Sequence, residues 1–421
     1  MNDDLTWSLH DRVDEVCERI EATEPGLHAY VPEPDRRARL HQEADALLKR
    51  WPDPLERPAL FGTPLAVKDV MHTRGWVTRA GSKVDPAAFA ADEAVVVTRL
   101  RDAGAMVVGK TVTAEFASKA PGETRNPHDH ARTPGGSSSG SAAAVAIGTA
   151  DLATGTQTIG SVIRPAAFCG IVGMKPTHGR ASIEGIVAHS PSFDTPGVFA
   201  RDVEAVRAAA MVMWDRWQAS GPAARGRLVV AGGEYLEQAD PVARKTFGDA
   251  VDALRAQGWS VDEHDLLPDL PAVRTHNLVI NRYELAQVHA PWFDAHRADY
   301  RHETVQAVDE GRSISSAAYD ASLDHLRAFR TDMDRRVAAL DATAVITPAA
   351  PGPAPLGIET TGDPAMAMPW TYGGLPAIAL PAGRSPEGLP LGVQLVGRRG
   401  ADEALVALAA DLEQAFAGLA G

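Results

Sequence analysis

The chain has 421 residues, a formal net charge of −14 and a hydrophobic fraction of 45%, the composition of a globular protein able to bury a large core. Its acidic balance argues against nucleic acid and anionic membranes as partners, because phosphate-rich surfaces bind a basic face. Residues 1–24 lack the pattern of a secretory signal, and there is no uninterrupted run of 18 apolar residues, so no membrane span is predicted. The two cysteines, Cys17 and Cys169, form no CxxC pattern, which favours a cytoplasmic location.

The first 50 residues are predicted to be helical. Apolar side chains recur at helical spacing over residues 5–22, and residues 35–48 show much the same pattern. We expect this helical segment, residues 1–50, to pack on the main domain.

A lysine stands where a strand is predicted to end. Residues 61–70 change to strand character, and the apolar run 65–67 is followed directly by Lys68. Two interpretations stay open for this side chain. It is either a buried functional amine or a surface lysine whose stem lies along apolar neighbours while its amine reaches water.

Two short patterns in the following segment are weighed and set aside. Residues 104–111 match the phosphate-binding pattern G-x-x-x-x-G-K-[ST], but residues 92–103 have helical character and residues 106–108 form a strand inside the supposed loop. The pattern therefore falls on the wrong elements. His128 and His130 could ligate a metal, yet no third ligand recurs at a suitable spacing, so a solvated loop is favoured.

Two Ser/Gly-rich stretches follow, GGSSSGS at 135–141 and TIGS at 158–161. Between them lie an Ala-rich segment that suits a helix and a short apolar run that suits a strand. Glycine beside serine lets the backbone bring N–H groups close to a substrate, as a pocket for a developing oxyanion requires. A flexible linker has a similar composition, but linkers do not continue directly into AAAVAI. We therefore predict a functional site here.

The rest of the chain alternates between predicted strands and helices. The strands are residues 171–174, 228–230, 259–261, 344–346, 377–380 and 393–396, and the helices are residues 203–214, 241–257 and 402–416. This alternation predicts an α/β protein with a mainly parallel or mixed sheet covered by helices. Since no repeat or low-complexity linker occurs, one large domain over residues 1–421 is preferred.

The motif GGSSSGSAAA followed by GTQTIGSVIRPAAFCGIVGMKPT resembles the amidase signature family, whose members hydrolyse amides with a Ser, cis-Ser, Lys triad. The resemblance also includes LHAYV at 27–31, SFDTPG at 192–197 and GLPLGVQL at 388–395, so it extends over nearly the whole chain. It implies Ser161 as nucleophile, Ser137 as the bridging cis-serine and Lys68 as the base. It also implies a mixed sheet wrapped in helices and no metal or organic cofactor.

In the reaction that the resemblance implies, neutral Lys68 takes a proton from Ser137, which takes one from Ser161. The pKa of Lys68 must then fall from about 10.4 towards 7, which burial can achieve. The oxyanion hole is assigned to the backbone N–H groups of Thr158, Ile159, Gly160 and Ser161, and substrate binding to Arg164, Gly135, Gly136 and Ser138. Two positions depart from the usual family pattern. Ile159 replaces a glycine, which would be strained if positive φ were needed there, and Ser139 replaces another glycine.

Arg164 carries the substrate prediction. The stretch around it is similar to the malonamidase-like branch, in which an arginine at this place binds a substrate carboxylate through a bidentate fork. An internal salt bridge to Asp or Glu is an equally open interpretation. We expect an amidase of small molecules, acting on a short carboxylate-bearing, malonamate-like amide. The alternatives are an amidase of neutral aliphatic or aryl amides, a catalytically silent binding protein and a glutamine amidotransferase-type subunit. A homodimer is the assembly considered.

Overall fold

One sheet of ten strands runs through the part of the chain that the computed structural model describes, residues 8–218, 221 and 226–420. The strands are β1 Pro64–Lys68, β2 Met106–Thr111, β3 Leu152–Gln157, β4 Val172–Lys175, β5 Thr195–Ala200, β6 Arg227–Ala231, β7 Ser260–His264, β8 Ala342–Pro348, β9 Ala377–Arg384 and β10 Pro390–Val396. Their order in the sheet is β2-β1-β3-β5-β4-β9-β10-β8-β6-β7.

The sheet is parallel near its two edges and antiparallel in its centre. Strand β1 pairs in parallel with β2 and β3, and β6 does so with β7 and β8. The pairs from β3 through β5, β4, β9 and β10 to β8 are antiparallel. The prediction of a mixed sheet in an α/β domain is therefore confirmed.

Helices surround this sheet. They are α1 Leu9–Leu27, α2 Arg36–Arg50, α3 Val95–Asp102, α4 Ser139–Ala146, α5 Ile163–Cys169, α6 Val203–Met213, α7 Glu234–Glu237, α8 Pro241–Ala256, α9 Leu270–His289, α10 Phe293–His296, α11 His302–Ser313, α12 Ser316–Ala339, α13 Met368–Tyr372 and α14 Asp402–Ala420. No helix among the described residues is long and apolar enough to cross a membrane.

The sheet separates two hydrophobic cores. Side chains alternate between the faces of a strand, so Leu65 and Val67 of β1 belong to one core while Ala66 belongs to the other. All five residues of β1 are buried. A lysine at the end of such a strand is held away from water by apolar groups on both faces.

The N-terminal helices contact the sheet on one side. Helix α1 begins at a capping box in which Ser8 and Asp11 satisfy each other's backbone N–H groups. Residues 5–7 of the predicted first helix lie outside the described residues. Arg12 of α1 forms an ion pair of 2.6 Å with Asp151, immediately before β3, and α2 packs against β2.

Residues 104–111 do not form a phosphate loop. Most of the segment is strand β2, and Lys110 lies within it, fully buried. Its Nζ is 3.0 Å from Asp69 Oδ1 and donates to the carbonyl oxygen of Met71 at 2.7 Å. This lysine is therefore an internal counter-ion.

Sequence periodicity missed strand β5 and the long helices α9, α11 and α12. Helix α9 explains why, because its buried face carries Asn277, Asn281, Arg282 and Glu284 among the apolar residues. Polar residues at buried positions interrupt the apolar stripe by which an amphipathic helix is recognised.

Candidate active site

Lys68 meets Ser137 at the end of β1. Its Nζ lies 2.8 Å from Ser137 Oγ and 2.7 Å from Thr156 Oγ1, and its backbone N–H donates to Thr154 Oγ1. The amine is fully buried. Burial lowers the pKa of Lys68 to about 7, and the negative charge of Asp194 opposes part of that shift. A large fraction of this lysine is therefore neutral near pH 7 and able to accept a proton from the serine.

Ser137 is fixed by its backbone. The Gly136–Ser137 peptide bond is cis, and the Ser137 carbonyl accepts hydrogen bonds from the backbone N–H of Ala114 and the hydroxyl of Thr113. Gly135 has a φ of +83°, and a Cβ there would lie 2.8 Å from Pro165 Cα. Only glycine meets both conditions without strain.

The loop 158–161, which carries Ser161, is shaped by one glutamine. Gln157 Oε1 accepts from the backbone N–H groups of Val162 and Ile163 at 2.8 and 3.0 Å. Its Nε2 donates to Thr371 Oγ1, which in turn donates to the carbonyl oxygen of Ile159 at 2.8 Å. Within the described residues no acceptor pairs with the backbone N–H groups of residues 159–161. These donors are thus available for a substrate oxygen.

A second anchor of this loop is Asp194, in the segment before β5. Its Oδ1 accepts from Thr158 Oγ1 at 2.6 Å, and its Oδ2 accepts from the backbone N–H groups of His189 and Ser190. One buried carboxylate therefore fixes the start of loop 158–161 and is also the negative charge that acts on Lys68.

The departure at position 159 introduces no strain. Neither Ile159 nor Gly160 has a positive φ. At position 160 glycine is required by space, because a Cβ would lie 2.9 Å from Pro364 Cβ. The concern raised by the sequence therefore does not apply.

A cavity of about 420 Å³ opens beside Ser161. Its walls come from loop 158–161 and Arg164, from residues 117–119, from helix α9 and from residues 359–362 and 364. Ser161 keeps 8% of its surface exposed. The nucleophile candidate and the free N–H donors thus face one space of the size that small-molecule sites have.

Arg164 lies buried on the wall of this cavity. Its Nη2 donates to the carbonyl oxygen of Gly136 at 2.6 Å and to Thr361 Oγ1 at 3.1 Å, while Nε has no partner in the described part of the chain. No carboxylate of the described residues lies within 4 Å of the Arg164 guanidinium. Burial lowers the pKa of Arg164 to about 10, and the charge of Asp363 acts in the opposite direction. The internal salt bridge that the sequence left open is not formed.

Three residues predicted to bind substrate do not line the cavity. Gly135 and Gly136 position the backbone of Ser137 instead, and the Gly136 carbonyl is bound to Arg164. Ser138 is fully buried, and its Oγ accepts from the backbone N–H of Thr156 at 3.3 Å. In this structure these three positions shape the backbone around Ser137 and do not line the cavity, so their binding of substrate stays a prediction.

The sequence reasoning missed five polar residues of the cavity wall. They are Lys119, His189, Asn277, Asn281 and Arg282. His189 is buried, with Nδ1 3.1 Å from the Phe116 carbonyl and Nε2 3.2 Å from the Asn281 amide, and burial lowers its pKa. The sequence signal for this wall was the four-residue spacing of Asn277 and Asn281, which places both on one face of a helix.

Comparison with known proteins agrees with this arrangement. The pattern of the Amidase family matches residues 11–406, so the chain belongs to that family. A subunit of the glutamyl-tRNA(Gln) amidotransferase of Koribacter versatilis (strain Ellin345) is 33% identical, over 95% of this chain and 93% of that protein. A crystal structure described as an amidase superposes with a TM-score of 0.88 at 29% identity, over 97% of this chain and 96% of the other. The peptide amidase of Stenotrophomonas maltophilia gives a TM-score of 0.83 at 26% identity, over 97% and 94%.

The chain is accordingly an amide-cleaving hydrolase of the amidase signature type. This agrees with the prediction of an enzyme rather than with the catalytically silent binding protein that the sequence left open. The relatives named above include two amidases and one component of an amidotransferase, and none of them distinguishes a malonamidase-like branch.

Proposed function

We propose that the protein cleaves a small-molecule C–N amide through an acyl-enzyme on Ser161. Neutral Lys68 accepts the proton of Ser137 as Ser137 accepts that of Ser161, and the Ser161 oxygen attacks the amide carbonyl. The proton returns to the leaving nitrogen, and water then releases the acid by the reverse relay. The observation that carries this proposal is the 2.8 Å contact between buried Lys68 Nζ and Ser137 Oγ.

The free N–H groups of loop 158–161 support the same reaction. Attack on the carbonyl places negative charge on its oxygen, and preorganised donors lower the energy of that state by roughly 3–4 kcal/mol each. We assign this role to Ile159, Gly160 and Ser161, together with Thr158 as the residue that Asp194 holds in place.

We further propose that the substrate carries a carboxylate near the scissile amide, with malonamate-like acids as the type. Arg164 is a buried cation on the cavity wall with no carboxylate partner in the described residues. Asp363 acts on the charge of Arg164 without forming an ion pair with it, and a substrate carboxylate would add a directly paired counter-ion with charge-assisted hydrogen bonds. Neutral aliphatic or aryl amides are disfavoured, because they would not supply that pair.

Glutamine is the second candidate, because a relative at 33% identity belongs to an amidotransferase. Glutamine also carries a carboxylate, so Arg164 suits both substrates. An amidotransferase delivers its ammonia to a partner protein. The homodimer and the cytoplasmic location are separate predictions that do not depend on this choice of substrate. The two candidates differ in whether glutamine is cleaved and whether a second protein raises that rate.

Ammonia release from paired acid and neutral amides tests the substrate proposal. Arg164→Gln should raise KM for malonamate about ten- to a hundredfold, because one charge-assisted contact is lost, and should leave propionamide unaffected. Equal losses for both amides would show that Arg164 acts only through the Gly136 carbonyl. Thr361→Val, which removes a neutral partner of the same guanidinium, is the matched control and should change KM much less.

The charge of Asp194 is tested by pH dependence. In Asp194→Asn the side-chain oxygen can still accept from the backbone N–H groups of His189 and Ser190, and the side-chain NH2 group can donate to the Thr158 hydroxyl. The substitution removes the negative charge that raises the pKa of Lys68. The pKa of Lys68 should fall, so the acidic limb of kcat/KM should move to lower pH. A limb unmoved or displaced to higher pH would contradict this assignment.

A further inference from the structure

We propose that Lys119 and Arg282 form a second carboxylate-binding subsite of this cavity, so that the preferred amides carry a second carboxylate away from the one at Arg164. This inference rests on the proposed function, since it concerns the substrate class of the same site. Both residues line the cavity that also contains Ser161.

The two cations lie close enough to repel each other. Lys119 is exposed, and the Arg282 guanidinium contributes to lowering its pKa after the larger effect of partial burial, while Glu310 acts in the opposite direction. Neither Glu303 nor Glu359, the carboxylates on the cavity wall, lies within 4 Å of them among the described residues. Arg282 has one carboxylate partner, Glu310, at 3.0 Å.

The backbone holds this pair in position. Phe116 and Ala117 adopt positive φ values of 47° and 55°, and residues 117–119 line the cavity. The Phe116 ring stacks on Tyr300 with centroids 5.2 Å apart. Arg282 is only 4% exposed, so its guanidinium is presented by a packed helix. Two cations on the cavity wall, of which Arg282 pairs with the half-exposed Glu310, form a site that favours an anion.

The cavity is also larger than a three-carbon acid amide needs. Its 420 Å³ falls in the range of sites that take drug-sized ligands. A substrate that fills it extends from Arg164 past the scissile bond to the wall formed by residues 117–119 and α9. A carboxylate on the leaving amine would reach this wall while the acyl carboxylate stays at Arg164.

Two probes of nearly equal size separate the charge from the shape. N-malonylglycine carries a carboxylate on the leaving amine, and N-propylmalonamate replaces it with an ethyl group. Their dissociation constants are measured by calorimetry on the Ser161→Ala protein, in which the proposed nucleophile is removed. We expect N-malonylglycine to bind at least tenfold more tightly.

Lys119→Met in the same background should weaken N-malonylglycine about tenfold and change N-propylmalonamate less than twofold. Lys49→Met, which removes an exposed lysine outside the cavity, is the matched control and should change neither. Glu310→Gln should act in the opposite direction and tighten N-malonylglycine, because it frees the charge of Arg282.

Equal binding of the two probes, or an equal effect of Lys119→Met on both, would overturn the subsite. Hydrolysis of malonamate by the native protein is measured separately. Its absence would count against the proposed function, whereas the binding comparison tests the subsite alone.

Discussion

Ser161→Ala is expected to abolish labelling by a serine-reactive fluorophosphonate and to lower kcat by about 10⁴-fold or more. The hydroxyl is the bond-forming atom in the proposed reaction, and removal of a nucleophile leaves only binding and the oxyanion donors. Intact-mass spectra of the native protein should show one adduct, and spectra of the variant should show none.

Ser118 provides the matched control for that experiment. It lines the same cavity, is buried, and its Oγ has no partner in the described residues, but no base lies beside it. Ser118→Ala should therefore keep both the adduct and most of the activity. Labelling that survives in Ser161→Ala and disappears in Ser118→Ala would show that Ser118, and not Ser161, is the nucleophile.

The sequence predicted the members of the proposed triad but not their contact. Lys68 follows an apolar strand and the two serines lie in Ser/Gly motifs, so residue types and local structure were readable. Their proximity depends on β1 pairing with β3 as well as with β2. Strand order is a long-range property, and no local pattern shows that the end of β1 lies beside Thr156 of β3.

The cavity wall was unpredictable for a different physical reason. Helix α9 buries Asn277, Asn281 and Arg282 at positions where periodicity analysis expects apolar side chains, so the helix itself was missed. The sequence could not place Gly135 and Gly136 relative to the cavity, because glycine permits both close approach to a ligand and close packing of backbone. The contacts of Gly135 with Pro165 and of Gly136 with Thr361 show that close packing of the backbone applies here, and these contacts are visible only in the structure.

Lys175 makes a sharp comparison with Lys68. It is also fully buried, and burial lowers its pKa to about 7 as well. Its Nζ donates to the Pro176 carbonyl, which cannot deliver a proton. Burial thus lowers the pKa of both lysines to a similar value although their charged neighbours and contacts differ, so a shifted pKa alone does not identify the base.

Lys68→Arg is therefore expected to lower kcat by about three to four orders of magnitude, because a guanidinium stays protonated and cannot accept the proton of Ser137. In the native protein kcat/KM should rise about tenfold per pH unit below pH 7 and level off above it, since the neutral amine is the active form and the pKa of Lys68 is about 7. Lys175→Met should leave this pH profile unchanged. Stopped assays from pH 5 to 9, with circular dichroism to establish that each variant is folded, provide the measurement. A folded Lys68→Arg protein with near-native kcat, or an acidic limb that disappears in Lys175→Met, would mean that another group removes the proton.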